Sequence, residues 1–535
     1  MEKVWEIAPR RFDDLIEQLL YNRGIKTEGE REEFFHPQLE NFEKDFDLPG
    51  AKKAIKRIHQ AAKRKELVVI FGDYDADGLC GAAVLYNGLM RAGVKALPYI
   101  PHREKEGYGL SKAGLDFARE QGASLVITVD NGIVAVEPAK YAHSLGLDLI
   151  ITDHHTPAQE KPEALSIIHS TKMSGTAVAW CLVHQLVGEQ ASEELLDLVA
   201  VATIADLLPL LGVNRALAAE GLRRLNKTKR PGFLALFAAA RLLPGQIGAY
   251  EVGHILGPRL NALGRLEHAM DSLRLLCTKN REKAARLADV LCSANDQKKK
   301  LTSDAAAQAM QLLDTEYKDG MDKVKVLILH SKQWIPGIIG LLAGRLAEEH
   351  GLPAVVISEG EVFSKGSART AGGVNIVKAI RGCSGLLVDV GGHPAAAGFT
   401  LESSKIAPFK KQLEFMMQQV EVDRRRKLPV EAIVQLSEIN LKLVEKLQKF
   451  EPTGAGNPPP VLASYKMRLG DLRTVGGGSH LKFKVEGFEA IGFNMGEMIN
   501  LMKEEMLANI AYRLEINRFN GRETLQLNVL DIQLV

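Results

Sequence analysis

Three short acidic motifs hold most of the chemistry this chain could perform. GDYDADG places Asp73, Asp75 and Asp77 in one loop, Asp130 opens Asp130-Asn131-Gly132, and Asp153 precedes His154 and His155. Alternate residues of an extended segment point the same way, so Asp75 and Asp77 can face one site. A lone aspartate after a strand is ordinarily a helix cap, and Asp-Asn-Gly or a His pair by itself is ordinarily a turn or a surface pair. Convergence of all three motifs is another matter, because acids this close repel one another unless positive charge sits among them. Hard oxygen donors with one or two imidazoles suit manganese or magnesium in a paired site. Two such ions can bind a phosphate, generate a hydroxide and stabilise a leaving oxygen.

The elements that must position these groups follow a clear rhythm. An apolar, β-rich run at 68–71 leads into the first loop and then into a helical stretch at about 79–92. Further short strands are predicted at 97–100, 125–129 and 149–152, with helical patterns at 111–121 and 136–145 between them. Strand and helix alternating at this spacing imply right-handed crossovers and a parallel sheet buried on both faces. Open α/β sheets gather ligands at the carboxyl ends of their strands, which is where the acidic motifs fall.

From about 213 to 317 the pattern is helical, and it closes with a charged stretch at 281–313 that lacks Gly and Pro. Its Ala and Leu residues predict one buried stripe on a connecting helix. A second α/β rhythm runs from a strand at 324–329 through a helix at 338–349 and a strand at 354–358 to about residue 426. Beyond 428, alternation at 512–516 and 525–529 flanks Asn520-Gly521, a strong hairpin signal that predicts a small β-barrel. The expected segments are therefore 1–50, polar and helical; 51–212, catalytic; 213–320, helical; 321–427, a second α/β domain; and 428–535, the barrel.

Composition narrows the field. The 535 residues are 46% hydrophobic and 25% charged, as in an ordinary globular protein. With Lys+Arg 68 against Asp+Glu 66, the net charge is +2, so a polyanion site must be a local patch. Five scattered cysteines without a CxxC pair argue against a disulfide framework or structural zinc and for a reducing, cytoplasmic setting. MEKVWEIAPRRFDDL has no apolar core of a secretory signal, and Asp197 and Asp206 interrupt the most apolar window, which reads as a buried helix rather than a membrane span. Neither GxxxxGK[ST] nor a GxGxxG after a strand is present, and GGGS at 476–479 reads as a hairpin turn. The basic runs Lys298-Lys299-Lys300 and Arg424-Arg425-Arg426-Lys427 read as solvated faces.

DYDADG, the DNG after a strand, DHH and the Asp206 of TIADLLPL together resemble the DHH phosphoesterase superfamily. PHREKEGYGL (101–110), GPRLNALGR (257–265), WIPGIIGLLAGRL (334–346), KGSARTAGGVNI (365–376), GGHPAAAG (391–398) and PTGAGNPPP (452–460) narrow the resemblance to the RecJ family of bacterial single-strand-specific exonucleases, over nearly the whole chain. The resemblance implies an α/β fold: a parallel-sheet DHH domain joined by a long helix to a second, DHH-associated α/β domain, with a C-terminal OB-fold barrel. It implies two Mn2+ or Mg2+ ions bridged by Asp130, with Asp77, His154 and Asp206 completing one site and Asp75 contributing to the other. Asp73, Asp153 and His155 would support the ligands or touch phosphate, His155 also being placed to ligate directly, while His393, beside Gly391 and Gly392, would reach the scissile phosphate. Arg103, Ser367 and Arg369 would hold a terminal 5′ phosphate, and Arg259, Asn261 and Arg265 the DNA backbone. The barrel would bind single strands, although most of Tyr465, Phe483, Phe488, Phe493, Tyr512 and Phe519 are expected in its core.

The activity so implied is 5′-to-3′ exonucleolysis of single-stranded DNA to 5′-mononucleotides, in DNA repair and recombination. The implied partners are a 5′-phosphorylated single strand, a helicase and a single-strand-binding protein; the enzyme would be a monomer with no membrane contact. A phosphodiesterase for cyclic dinucleotides or short oligonucleotides is disfavoured by the chain's length and β-rich tail. A nonenzymatic replication scaffold is disfavoured because every ligand is present. Two positions depart from the family pattern: Phe71 stands where some superfamily members carry a metal-binding His, leaving the Asp75 site short of ligands, and Thr453 replaces a Phe.

Overall fold

The computed structural model describes residues 3–317, 320–370, 373–519 and 522–535. The chain forms two compact units. One comprises Lys44–Asp206 and Gly221–Arg426; the other comprises Met1–Glu43, Leu207–Glu220 and Lys427–Val535.

The first sheet of the larger unit has five strands, in the order Lys95–Tyr99, Leu67–Gly72, Ala123–Val129, Asp148–Asp153 and Ser166–His169, and every pairing is parallel. Val68, Val69, Ile70 and Phe71 are all buried, as a strand covered on both faces requires. The fifth strand, Ser166–His169, is not among the strands predicted above, because four residues after a polar loop give almost no periodic signal.

The helix Arg281–Glu316 runs 36 residues, roughly 54 Å at 1.5 Å per residue. Its buried stripe begins Ala284, Leu287, Ala288, Leu291, the i, i+3, i+4, i+7 spacing of one face. Its first half packs on the helices Pro231–Ala239 and Gly257–Leu266, and further along it packs on Pro336–His350. Ala305, Ala306, Ala309 and Leu313 share a core there with Trp334, Ile338 and Leu342. Lys298 corrects the expectation of a solvated lysine run: it is buried, its ammonium donating to the Pro258 carbonyl (2.9 Å) and Asn295 Oδ1 (2.8 Å). Burial, with Arg265 and Lys299 nearby, pushes its pKa down to about 8.

The second sheet is mixed, in the order Leu387–His393, Ala396–Glu402, Phe363–Arg369, Ala354–Ser358 and Leu327–Ser331, with only the last pair parallel.

In the smaller unit, Leu462–Val475 pairs with both His480–Val485 and Leu507–Phe519, and Leu507–Phe519 with Arg522–Leu534. The turn Asn520-Gly521 lies outside the described residues. Gly476, Gly477 and Gly478 turn the hairpin at GGGS. Phe483 and Tyr512 are buried in the barrel core and Phe488 packs beside it, whereas Tyr465 and Phe493 are exposed. The N-terminal segment is not helical throughout: it opens with the strand Lys3–Ile7, which pairs with Arg426–Val430. Buried Arg215 ties three segments of this unit together, donating to the carbonyls of Phe34, Lys449, Phe450, Glu451 and Pro452. Thr453, in place of the family's Phe, turns its backbone N–H to the Glu451 carboxylate (3.0 Å). Among the described residues no helix is long and apolar enough to cross a membrane.

Candidate active site

Three adjacent strands of the first sheet deliver the acidic motifs. Asp73 follows Leu67–Gly72, Asp130 follows Ala123–Val129, and Asp153 ends Asp148–Asp153. Asp75 caps the helix Ala76–Arg91, accepting from the backbone N–H of Asp77 (3.0 Å) and Gly78 (3.1 Å). A second helix start holds Asp77: its carboxylate accepts from the N–H of Gly175 (2.7 Å) and Thr176 (2.8 Å). Gly175 has to be glycine, since a Cβ there would sit 2.7 Å from Asp130 Oδ1. Asp206 caps the carboxyl end of Leu196–Ala205, a helix that packs on Ala76–Arg91.

Asp130 adopts φ +62°, a left-handed backbone that Asp tolerates better than most residues and that is typical of functional sites. His154 Nε2 lies 3.1 Å from Asp130 Oδ1 and 3.7 Å from both Asp77 Oδ2 and Asp206 Oδ2. The Asp130 contact lacks hydrogen-bond geometry, so Asp130 Oδ1 is a buried acceptor without a donor, and so is Asp73 Oδ1. Burial and mutual repulsion raise the pKa of Asp73, Asp75 and Asp130, and push that of Asp206 up to about 8. Burial lowers the pKa of His154, which favours the neutral imidazole.

Orphaned carboxylate oxygens, crowded acids and a neutral imidazole are the donor set a divalent cation requires. Three overlapping groups have ligand atoms within 4.8 Å of one another: Asp77, His154 and Asp206; Asp73, Asp75 and Asp130; and Asp130, His154 and His155.

Asp153 stands outside these groups because its oxygens are occupied. Oδ1 accepts from the N–H of His154 and His155 and from His155 Nδ1 (2.8 Å), and Oδ2 from the N–H of Ile133. Burial disfavours the His155 imidazolium, but the Asp153 carboxylate outweighs it and holds that pKa above the ordinary value. Tyr108 is a residue that sequence reasoning missed; its hydroxyl donates to the Asp130 carbonyl (3.0 Å) and lies 3.1 Å from the His155 ring. The GYG of its loop is the available signal. Phe71 is core, its ring tilted against that of Tyr99 with centroids 5.2 Å apart.

A cluster of guanidiniums adjoins the acids. The Arg103 guanidinium lies over the Tyr74 ring at 5.2 Å, between Asp73 and Asp75 in sequence. Arg265 is pushed down to about 10 by burial and by Arg103, and Arg369 is lowered by the same two causes. Arg369 also donates to Ser367 Oγ at 3.0 Å. Gly340 lets Arg369 and Ser367 approach its backbone closely: a Cβ would sit 3.0 Å from Arg369 Nη2 and 3.2 Å from Ser367 Oγ.

Arg259 bonds the Ile255 carbonyl (2.9 Å) within its own helical stretch, and Asn261 Oδ1 is a buried acceptor without a donor. Gly391, Gly392 and His393 end the exposed edge strand Leu387–His393, and among the described residues His393 has no hydrogen bond or ion pair with the acidic cluster.

Residues 67–203 match the DHH family, N-terminal domain; 323–419 match the DHHA1 domain; and 430–531 match the RecJ OB domain. The single-stranded-DNA-specific exonuclease RecJ of Bacillus subtilis (strain 168) is 34% identical, over 97% of this chain and 67% of that protein. The protein of that name from Salmonella typhimurium is 30% identical, over 98% of this chain and 96% of its own. The chain belongs to the RecJ family. RecJ of Thermus thermophilus in complex with Mn2+ superimposes with a TM-score of 0.85 at 27% identity, covering 99% of this chain and 79% of that one. An exonuclease RecJ bound to manganese matches with a TM-score of 0.61 at 33% identity, covering 70% of this chain and 96% of that one.

Proposed function

We propose that this RecJ-family chain removes 5′-mononucleotides stepwise from the 5′-phosphorylated end of single-stranded DNA, in DNA repair and recombination. The observation that carries this reading is the juxtaposition of a cation-competent acidic cluster with a cluster of three guanidiniums. The acids suit metal-assisted hydrolysis, and the guanidiniums suit a terminal phosphate.

Asp77, Asp130, His154 and Asp206 would hold one divalent ion, Mn2+ or Mg2+, and Asp73, Asp75 and Asp130 a second, with His155 beside Asp130 and His154. The bound pair supplies Lewis-acid activation of water and charge neutralisation at phosphate.

The chain's own groups do the rest. Arg103, Arg265, Ser367 and Arg369 grip the 5′ phosphate, Arg by its planar fork. That grip fixes how far the strand enters and therefore which phosphodiester lies at the acids. Asp153 locks the orientation of His155, and the exposed His393, beside Gly391 and Gly392, donates to a nonbridging oxygen of the scissile phosphate. Arg259 and Asn261 contact the backbone further along. Contacts of this kind carry no base readout, so sequence preference is weak. Ends opened by a helicase or held by a single-strand-binding protein would be natural substrates, and one chain carries every group named.

A time course on 3′-labelled single-stranded DNA, with and without Mn2+, tests the reading. The expected result is a ladder that shortens from the 5′ end only with metal and leaves a blunt duplex intact. Shortening of 5′-labelled strands from the 3′ end, or metal-independent cutting, would overturn it.

A further inference from the structure

We infer that Glu106 is a positioning residue for 5′-end recognition, because its carboxylate folds the loop that presents Arg103 to the end phosphate and Tyr108 to Asp130. The inference rests on the end-pocket reading above and deepens it.

The loop joins the strand Lys95–Tyr99 to the helix Lys112–Glu120. Glu106 closes it from inside. One carboxylate oxygen accepts from the His102 backbone N–H (2.8 Å), and the other accepts from the Tyr99 hydroxyl (2.8 Å) and the Ser111 hydroxyl (2.7 Å). The Glu106 N–H donates back to the His102 carbonyl at 2.8 Å. Both ends of the loop are thereby fastened: Tyr99 ends the strand and packs its ring, tilted, against Phe71 and Phe117, and Ser111 caps the following helix through the Gly114 N–H. Each donor is neutral, and among the described residues Glu106 pairs with no cation.

That pairing pattern has a consequence for Arg103. An acid three residues away is well placed to form an ion pair with it and so compete with a phosphate. Here both carboxylate oxygens are occupied elsewhere, and Arg103 lies over Tyr74, near enough to Arg265 and Arg369 to repel both. Two residues beyond Glu106, Tyr108 fastens the loop to the Asp130 carbonyl. One short segment therefore spans the end pocket and the metal-ligand cluster, and Glu106 sets its internal shape.

The test compares kcat and KM of the full-length protein, with saturating Mn2+, on one single-stranded oligonucleotide carrying either a 5′-phosphate or a 5′-hydroxyl. For Glu106→Ala, the preference for the phosphorylated end, as the ratio of kcat/KM values, should fall about tenfold or more, through KM rather than kcat, since a displacement near 1 Å can cost up to about 100-fold. Glu106→Gln should retain the preference, because the amide oxygen still meets the His102 N–H and the amide N–H groups can donate to the two hydroxyls. Arg103→Ala run in parallel should lose it. A wild-type preference in Glu106→Ala alongside a lost one in Arg103→Ala would overturn the positioning role alone. Equal losses on both substrates would overturn it too, by revealing a merely structural residue. An unchanged preference in Arg103→Ala would sink the end pocket and this inference with it. Should Glu106→Ala fail to fold, Tyr99→Phe, which deletes one donor, should shift the preference in the same direction, and an unchanged preference there would overturn the role.

Discussion

Asp130→Asn should lower turnover about 10³-fold or more while leaving the protein folded, because both ions lose the carboxylate they would share. Asn suits the left-handed backbone at this position and keeps the side chain's volume, so the change removes charge and little else. Without metal the variant should be the more stable protein. Burial and the neighbouring carboxylates raise the pKa of Asp130 and its partners, so the folded state binds protons more tightly than the unfolded chain. For such groups stability is greatest at low pH and is lost as pH rises. With Asp206 at about 8 against an ordinary 3.8, the metal-free wild type should weaken progressively across that interval, and the variant less so. Adding Mn2+ reverses the order: at a concentration 100 times Kd, each bound ion adds about 2.7 kcal/mol to the wild type. Melting curves of both proteins with EDTA and with Mn2+ check this. Equal gains from Mn2+ in both, or substantial turnover by folded Asp130→Asn, would remove Asp130 from the shared position.

Arg369→Ala should weaken use of a 5′-phosphorylated strand by about 10–100-fold in kcat/KM, the worth of one or two charge-assisted hydrogen bonds. Removing the 5′ phosphate from the substrate should cost a similar factor. The two losses should not multiply, because each deletes one half of the same contact. On a 5′-hydroxyl strand the variant and the wild type should thus be nearly equal. Steady-state kinetics on the four enzyme–substrate combinations measures this coupling, and fully additive losses would place Arg369 elsewhere on the DNA.

The acidic motifs are legible because each follows an apolar strand, and a parallel sheet brings the ends of its strands together. The sheet's order then puts Asp73, Asp130 and Asp153 on adjacent strands. What stays hidden are groups whose role depends on distant partners. The amides of Gly175 and Thr176 hold Asp77 from 98 and 99 residues away, and nothing in SGTAVAW alone announces it. Lys298 reads as one of three solvated lysines, yet it turns inward to the Pro258 carbonyl, a contact that helical periodicity cannot distinguish from its neighbours. Asp153 reads as a support for the imidazoles, and its four acceptor contacts to N–H groups are consistent with that. His393 is legible as a motif but not as a contact, because it stands on an exposed edge strand.

The most direct measurement is anomalous scattering from crystals of the full chain soaked in Mn2+. Two manganese peaks are expected, both touching the Asp130 carboxylate, one beside Asp77, His154 and Asp206 and the other beside Asp73 and Asp75. Crystals that took up no manganese among these residues, with their carboxylates turned apart, would contradict the metal-dependent mechanism.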